Sequence, residues 1–433
     1  MKNRVKVAII GAGWAGCAAA VEASRLGHHA TVFEASRIAG GRARRLDVTV
    51  DGTTLNLDNG QHILIGAYSE TLKLMAELGV DASKTLLRMP LTLQFPDGSG
   101  LKLPSLRFLP APLDALVGIL RARGWSLSDK LSLLKTATLW QLRKFQCAPQ
   151  LSVTDLCRAV SPRIMATLIE PLCVSALNTP ADRASGQVFL RVLKDSLFAV
   201  SGGSNLLLPK ADLSALLPNA ALTWLTHQGG NVHLGSRVTS MTQQQDKLWQ
   251  LKDAADAPLG QFDSVILACP PNEAARLARG THLPCEGWLA QADSLRYEAI
   301  ATVYAAAPGA RLAQPMLALV SSPNCPAQFV FDRGQLGGPA GLLAFVVSAS
   351  QQSSLEITTQ VTAQAAHQLG LNNLQVLQTV VEKRATFACT PGLERPAAQI
   401  STGLLACGDY VDGPYPATLE GAVRSGLQAA RLI

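Results

Sequence analysis

The sequence predicts an α/β protein, α+β overall, and three observations carry that reading. Residues 5–34 run strand, glycine turn, helix, strand, acid. Residues 403–428 run strand, Gly-Asp, loop, helix. Between 276 and 385, strand-like stretches alternate with a helical segment near 354–369. The first two imply a parallel, Rossmann-like nucleotide-binding sheet drawn from both ends of the chain. The third implies a second sheet in a discontinuous domain of mixed sheet and helices.

Each element follows from its residues. Val5-Lys6-Val7-Ala8-Ile9-Ile10 is an apolar strand. Gly11 permits a tight turn, Gly13 lets the backbone approach a pyrophosphate, and Gly16 with Ala20 lets the helix pack closely on the sheet. The helix start aims N–H groups and the positive dipole end at phosphate. Ala30-Thr31-Val32-Phe33 is the next strand, and Glu34 at its end can accept hydrogen bonds from a ribose diol. Gly40-Gly41 lets a loop lie close to a ligand, and Arg42 can pair with phosphate. A strand-like Leu55-Asn56-Leu57-Asp58 then leads into Asn59-Gly60-Gln61-His62.

Residues 76–200 read mostly helical, with breaks at Pro90, Pro96, Pro104, Pro110 and Pro112. Leu127, Leu131, Leu134, Thr138 and Leu142 keep one face, which predicts an amphipathic helix near 126–144. Leu172 to Leu177 reads as a buried helix ending at Asn178-Thr179-Pro180. Helices are expected at roughly 206–217 and near 220–228, then strands that end at Pro270-Pro271. Leu404-Leu405-Ala406 leads to Gly408-Asp409, whose carboxylate can hold ribityl or ribose hydroxyls. The helix opening after Ala417 points its N–H groups at the same ligand. The expected division is 1–75, 201–275 and 386–433 for the nucleotide domain, 76–200 for a helical cap, and 276–385 for the substrate-domain sheet.

The bulk numbers bound the function. The chain has 433 residues, 48% hydrophobic and 16% charged, with mean hydropathy +0.19. That is apolar for a soluble enzyme and implies large buried surfaces or contact with lipid. No apolar run reaches transmembrane length, and the N-terminus carries no secretory pattern, so a cytoplasmic location is expected, either free or peripheral on the inner face of the cytoplasmic membrane. Nine cysteines stand singly, with no Cys-x-x-Cys pair. They read as buried reduced thiols, and no metal site is expected. The net charge of +7 concentrates in 101–146, where Lys102, Arg107, Arg121, Arg123, Lys130, Lys135, Arg143 and Lys144 oppose Asp114 and Asp129. The same stretch is Leu-rich and holds Phe108, Trp125, Trp140 and Phe145. It fits an interfacial membrane contact or a solvated cap over a pocket, and both stand open. No nucleic-acid module accompanies the charge, so no nucleic-acid partner is expected.

With these motifs in hand, the chain resembles the flavin amine oxidase and carotenoid desaturase superfamily over nearly its whole length. The carriers are Gly11 to Glu34, Gly40-Gly41-Arg42, Val238, and Gly408-Asp409 with Ala417 to Gly426. Gly60-Gln61-His62-Ile63 with Gly66-Ala67-Tyr68 is similar to the desaturases. Asp58 to His62, Glu170-Pro171-Leu172-Cys173 and Asn178-Thr179-Pro180 are similar to the bacterial squalene-associated, FAD-dependent hydroxysqualene dehydroxylases.

The resemblance implies FAD held by Gly11, Gly13, Trp14, Ala15, Gly16, Glu34, Gly41, Arg42, Gly60, Gln61, His62, Val238, Gly408, Asp409, Thr418, Leu419 and Ala422. It also implies a long-chain isoprenoid substrate, reductive removal of its hydroxyl in squalene and hopanoid synthesis, and an external electron donor, either an NADPH-linked reductase or a ferredoxin. The proton donor is not singled out. Glu420, His62 and Tyr415 are the candidates, with Tyr410 beside them. Three alternatives remain. A desaturase runs the hydride the other way. An amine oxidase wants an aromatic cage, which 5% aromatic content disfavours. A non-catalytic prenyl-binding protein of the same fold predicts a degraded nucleotide fingerprint, and here that fingerprint is intact.

Overall fold

The computed structural model describes residues 4–50, 52–104, 112–199 and 201–433. Arg107, Phe108 and Pro110, part of the basic segment, lie outside the described residues.

Two sheets frame the molecule. The first has six strands in the order Asn231–Leu234, His29–Glu34, Lys6–Ile10, Ser264–Leu267, Leu404–Ala406 and Gln399–Ser401. All neighbours are parallel except the last pair. Its strands alternate between two cores, as period-two side chains must. Val7, Ile9, Val32 and Ile266 face one core, and Ala8, Ile10, Phe33 and Val265 face the other. On the first face lie the helices Trp14–Arg25 and Leu419–Arg431. The Ala-rich composition of the first helix follows from its place: Trp14 to Ala23 are all buried, so its flanks must be thin. The opposite face carries a three-stranded antiparallel sheet, Ser240–Gln243, Trp249–Lys252 and Pro258–Phe262. There Phe262 meets Phe33 edge to face at 5.9 Å.

The second sheet is antiparallel, in the order Met316–Ala318, Phe329–Asp332, Leu342–Ser350, Tyr297–Ala306 and Gln375–Phe387. One face packs Val303, Phe345 and Val347 against the helix Ser354–Leu369. The other face turns Phe329, Phe331 and Val346 towards a cavity. The helical part includes Leu113–Arg121, Leu127–Leu142 and Gly186–Lys194. It also includes a run from Pro162 through a π-turn, Met165–Ile169, into Glu170–Leu177. That wide turn lies before Pro171, which has no N–H to offer the helical ladder.

One expectation is corrected here, and two are filled in. Residues 206–217 are not one helix. Leu206–Pro209 is a strand between Leu64–Ile65 and Leu86–Met89, followed by a single turn, Leu213–Leu216. Leu206 and Leu208 enter one core and Leu207 the other, so the leucine run has period two, and Pro209 ends it. The stretch 76–200 carries its expected helices and short strands as well. It holds the strands Leu86–Met89, Thr92–Gln94 and Gly100–Lys102. The helix Leu127–Leu142 forms as expected, but its leucine stripe faces outward. Its buried side is Leu133, Thr136 and Trp140, while Leu127 is 71% and Leu142 75% exposed.

Candidate functional site

A cavity of about 740 Å³ lies between the two sheets. One end is polar and lined by main chain, and the other is an apolar arm.

The polar end grows from the C-terminal edge of the parallel sheet. Strand Lys6–Ile10 ends at Gly11, whose φ of +116° and 2.5 Å Cβ approach to the Ala268 carbonyl exclude any other residue. Gly13 caps the helix Trp14–Arg25 with no side-chain hydrogen bond, and no acid occupies the first turn. The free N–H groups there favour an anion. The Gly40 N–H donates to the Ala12 carbonyl at 2.8 Å, and the Trp14 indole donates to the Ala43 carbonyl at 3.0 Å. These two bonds lay the second glycine loop beside the first. Glu34 accepts from the Ala12 N–H at 2.7 Å and the Ser36 N–H at 2.8 Å, which orients its carboxylate at the cavity wall.

Across the cavity, Arg42 pairs with Asp409 at 2.5 Å and donates to the Ala385 carbonyl at 2.7 Å. Burial alone would lower the Arg42 pKa, but the Asp409 carboxylate outweighs it and holds the guanidinium above its usual range. Thr418 caps the last helix by accepting from the Gly421 N–H at 2.9 Å. The hydroxyls of Tyr297 and Tyr410 are buried against this end without a hydrogen-bond partner among the described residues. A glycine-lined anion cradle, a carboxylate, an arginine and two unpaired buried hydroxyls fit the phosphates and polyol of FAD.

The sequence-predicted cofactor residues come together here. Gly11, Gly13, Trp14, Ala15, Glu34, Gly41, Arg42, Gly60, Gln61, His62, Val238, Gly408, Asp409, Thr418, Leu419 and Ala422 all line the cavity. Gly16 is the exception. A Cβ there would stand 1.9 Å from the Gly11 carbonyl, so its role is to let the helix close over the turn.

The candidate proton donors separate. Glu420 is fully buried and does not line the cavity. It accepts from the Thr71 N–H and hydroxyl at 2.9 and 2.7 Å and from Arg424 at 2.7 Å, so it caps the helix Ser69–Glu77. The expectation that it sits at the flavin as an acid is corrected: its lone pairs hold a helix N-terminus. His62 lines the cavity with Nδ1 2.9 Å from the Gly60 carbonyl, so Nδ1 carries the proton. Burial lowers its pKa, and the imidazole is neutral at pH 7 with Nε2 an acceptor. It therefore cannot give up a proton as imidazolium. Tyr415 lines the cavity and donates to Asp195 at 2.8 Å. Arg191 holds the same carboxylate oxygen at 2.5 Å. The guanidinium groups of Arg191 and Arg424 lie 5.6 and 5.1 Å from the Tyr415 ring centre. Burial, then Asp195, pushes the Tyr415 pKa up, so the phenol stays protonated.

Asp195 was not among the sequence candidates. It lies four residues after Arg191, a spacing shared with any surface helical ion pair. Only its meeting with Tyr415, 220 positions away, marks it. The arm beyond it is apolar, with Leu172, Phe189, Leu193, Leu197, Phe329 and Phe331 on its walls. Cys269 is the cysteine in the lining. Burial pushes its thiol up to about 12, so it is no nucleophile at neutral pH.

Comparison with known proteins agrees with this geometry. The sequence profile described as flavin containing amine oxidoreductase matches residues 14–433. A hydroxysqualene dehydroxylase of Rhodopseudomonas palustris is 30% identical, covering 99% of this chain and 98% of its own. One of Sinorhizobium fredii is 25% identical, covering 98% and 97%. The solved cyclohexylamine oxidase of Brevibacterium oxydans shares the fold with a TM-score of 0.70 at 15% identity, covering 99% of this chain and 98% of that one.

Proposed function

The chain belongs to the flavin containing amine oxidoreductase family and is an FAD-dependent oxidoreductase, and from that premise we propose that it converts hydroxysqualene to squalene by reductive dehydroxylation. The observation that carries this reading is the junction of the cavity. An apolar arm meets the cofactor cradle, and a tyrosine–carboxylate pair stands near that meeting point. A long hydrocarbon bearing one hydroxyl matches that distribution of polarity. The full-length similarity to relatives of that name supports it. In this reading residues 1–75, 201–275 and 386–433 bind FAD, 76–200 cap the arm, and 276–385 shape its wall.

The residues then take roles. Gly13, Glu34, Arg42 and Asp409 hold the phosphates and hydroxyls of FAD. Reduced FAD, when bound, supplies a hydride equivalent to the substrate carbon. When substrate enters, Tyr415 turns its one proton from Asp195 to the substrate hydroxyl and delivers it as the C–O bond breaks, so that the hydroxyl departs as water. Arg191 and Arg424 stabilise the phenolate that this leaves, and solvent returns the proton. Asp195 keeps the ring oriented. The walls of the arm exclude water from the developing allylic cation. Reducing equivalents come from a separate NADPH-linked reductase or a ferredoxin.

The test is product analysis. Anaerobic enzyme, reduced and kept in deuterated buffer, should turn hydroxysqualene into squalene with one deuterium at the carbon that lost oxygen. Unlabelled squalene would remove the hydride step. Oxidation of a polyene with no squalene formed would move the assignment to a desaturase.

A further inference from the structure

We propose that the outward faces of the helices Leu113–Arg121 and Leu127–Leu142 form a docking surface for an anionic lipid bilayer. Seven of the twelve exposed large hydrophobic side chains among the described residues fall between positions 113 and 142. Leu113, Leu116 and Leu120 share one face of the first helix at spacings of three and four. Leu127, Leu131 and Leu142 fall within about 60° of one another on the second, on the side opposite Leu133, Thr136 and Trp140. The Lys130 ammonium donates to the Leu120 carbonyl at 2.8 Å and joins the end of one helix to the start of the other. The second helix is thus apolar on two sides. One side packs inward and the other meets solvent. The tryptophans do not serve this surface, since Trp125 and Trp140 are 7% and 6% exposed and face the core.

The charges around the leucines decide the occupant. Arg121, Arg123, Lys135, Arg143 and Lys144 are exposed beside them. The opposing acids are few, and Asp129 is engaged in a capping box with Ser126. Leucines flanked by cations suit a bilayer interface with acidic headgroups. A second copy of the chain docking on the same face would bring cation onto cation. Among the described residues no helix is long and apolar enough to cross a membrane, so the contact is interfacial. One ring contact leads from the end of the second helix toward the cavity. Phe145, just past the second helix, lies 4.8 Å ring to ring from Phe198, and the preceding residues Asp195, Ser196 and Leu197 line the cavity. On the substrate reading above, that contact would set the bilayer on the side of the arm. The docking surface itself does not depend on that reading.

The experiment uses the full, FAD-loaded chain and sedimentation with vesicles of phosphatidylcholine, alone or with phosphatidylglycerol. It needs no substrate, so its outcome is separate from that of the dehydroxylation test. Partition onto the phosphatidylglycerol vesicles should be at least about tenfold stronger and should weaken with salt. The variant L120S/L127S/L131S/L142S should lose at least about tenfold, with flavin absorbance and melting temperature unchanged. The variant R121E/R123E/R143E/K144E should fall to the phosphatidylcholine level. Equal binding by wild type and the leucine variant would overturn the proposal, as would no vesicle binding by wild type. A wild-type dimer that the leucine variant dissolves, with no vesicle binding, would show that a second copy covers the face instead.

Discussion

Tyr415 is held between one carboxylate and two guanidinium groups, and the proposed reaction would use it as the proton donor. Its hydroxyl reaches Asp195, and Arg191 and Arg424 flank its ring. Tyr415→Phe keeps the ring and removes the transferable proton together with the hydrogen bond to Asp195. The expected result is a fall in kcat of about 10²–10⁴-fold with flavin absorbance unchanged. Undiminished turnover would take Tyr415 out of the chemistry. Asp58 poses a second question at this scale. It is 2% exposed, and burial pushes its carboxyl up to about 6, against the Leu213 N–H and Arg333, which pull it down. A folded-state pKa raised above the unfolded value contributes stability at low pH and loses it as pH rises. The window runs from about pH 4 to pH 6, and the loss is about 3 kcal/mol. Asp58→Asn does not titrate and keeps an acceptor for the Leu213 N–H. Denaturant midpoints should therefore be similar at pH 4 and favour the variant by pH 7.5. A difference that stays flat with pH would show that Asp58 does not titrate in that window.

At the scale of elements, the crossing of the helices Trp14–Arg25 and Leu419–Arg431 is a tight joint. A Cβ on Gly426 would stand 2.1 Å from the Ala15 carbonyl, which is backbone and cannot swing away. Gly426→Ala must push apart the two helices whose N-termini face the cofactor cradle. Overpacking of this kind costs about 1–3 kcal/mol. The variant should melt lower and bind FAD more weakly, and normal values for both would show that the joint can give. This joint was only partly readable in the sequence. The glycines of the first helix follow a familiar strand–turn–helix pattern, whereas Gly426, though it closes the C-terminal motif, shows no packing role until its partner is placed. The leucine stripe of Leu127–Leu142 teaches the converse. Its 3.6 periodicity gave the helix correctly, but periodicity says only that a face is apolar, not what covers it.

Over the whole molecule, one cavity is assembled from stretches of chain hundreds of residues apart. The pair Arg42–Asp409 spans 367 positions, and Arg42 also reaches Ala385. By itself the sequence determined the parallel nucleotide-binding sheet, the residues of its glycine turns, the Gly-Asp at the last strand and the apolar character of the substrate side. Those features are local. A turn that only glycine can make, a strand of period two and an acid at its end depend on neighbours a few positions away. Only the tertiary structure decided that Glu420 caps a helix, that Asp195 joins Tyr415, that Leu206–Pro209 is a strand, and that a leucine face looks outward. Each depends on which distant surface packs against the residue, and packing density and charge pairing are properties of the assembled core rather than of any window of sequence.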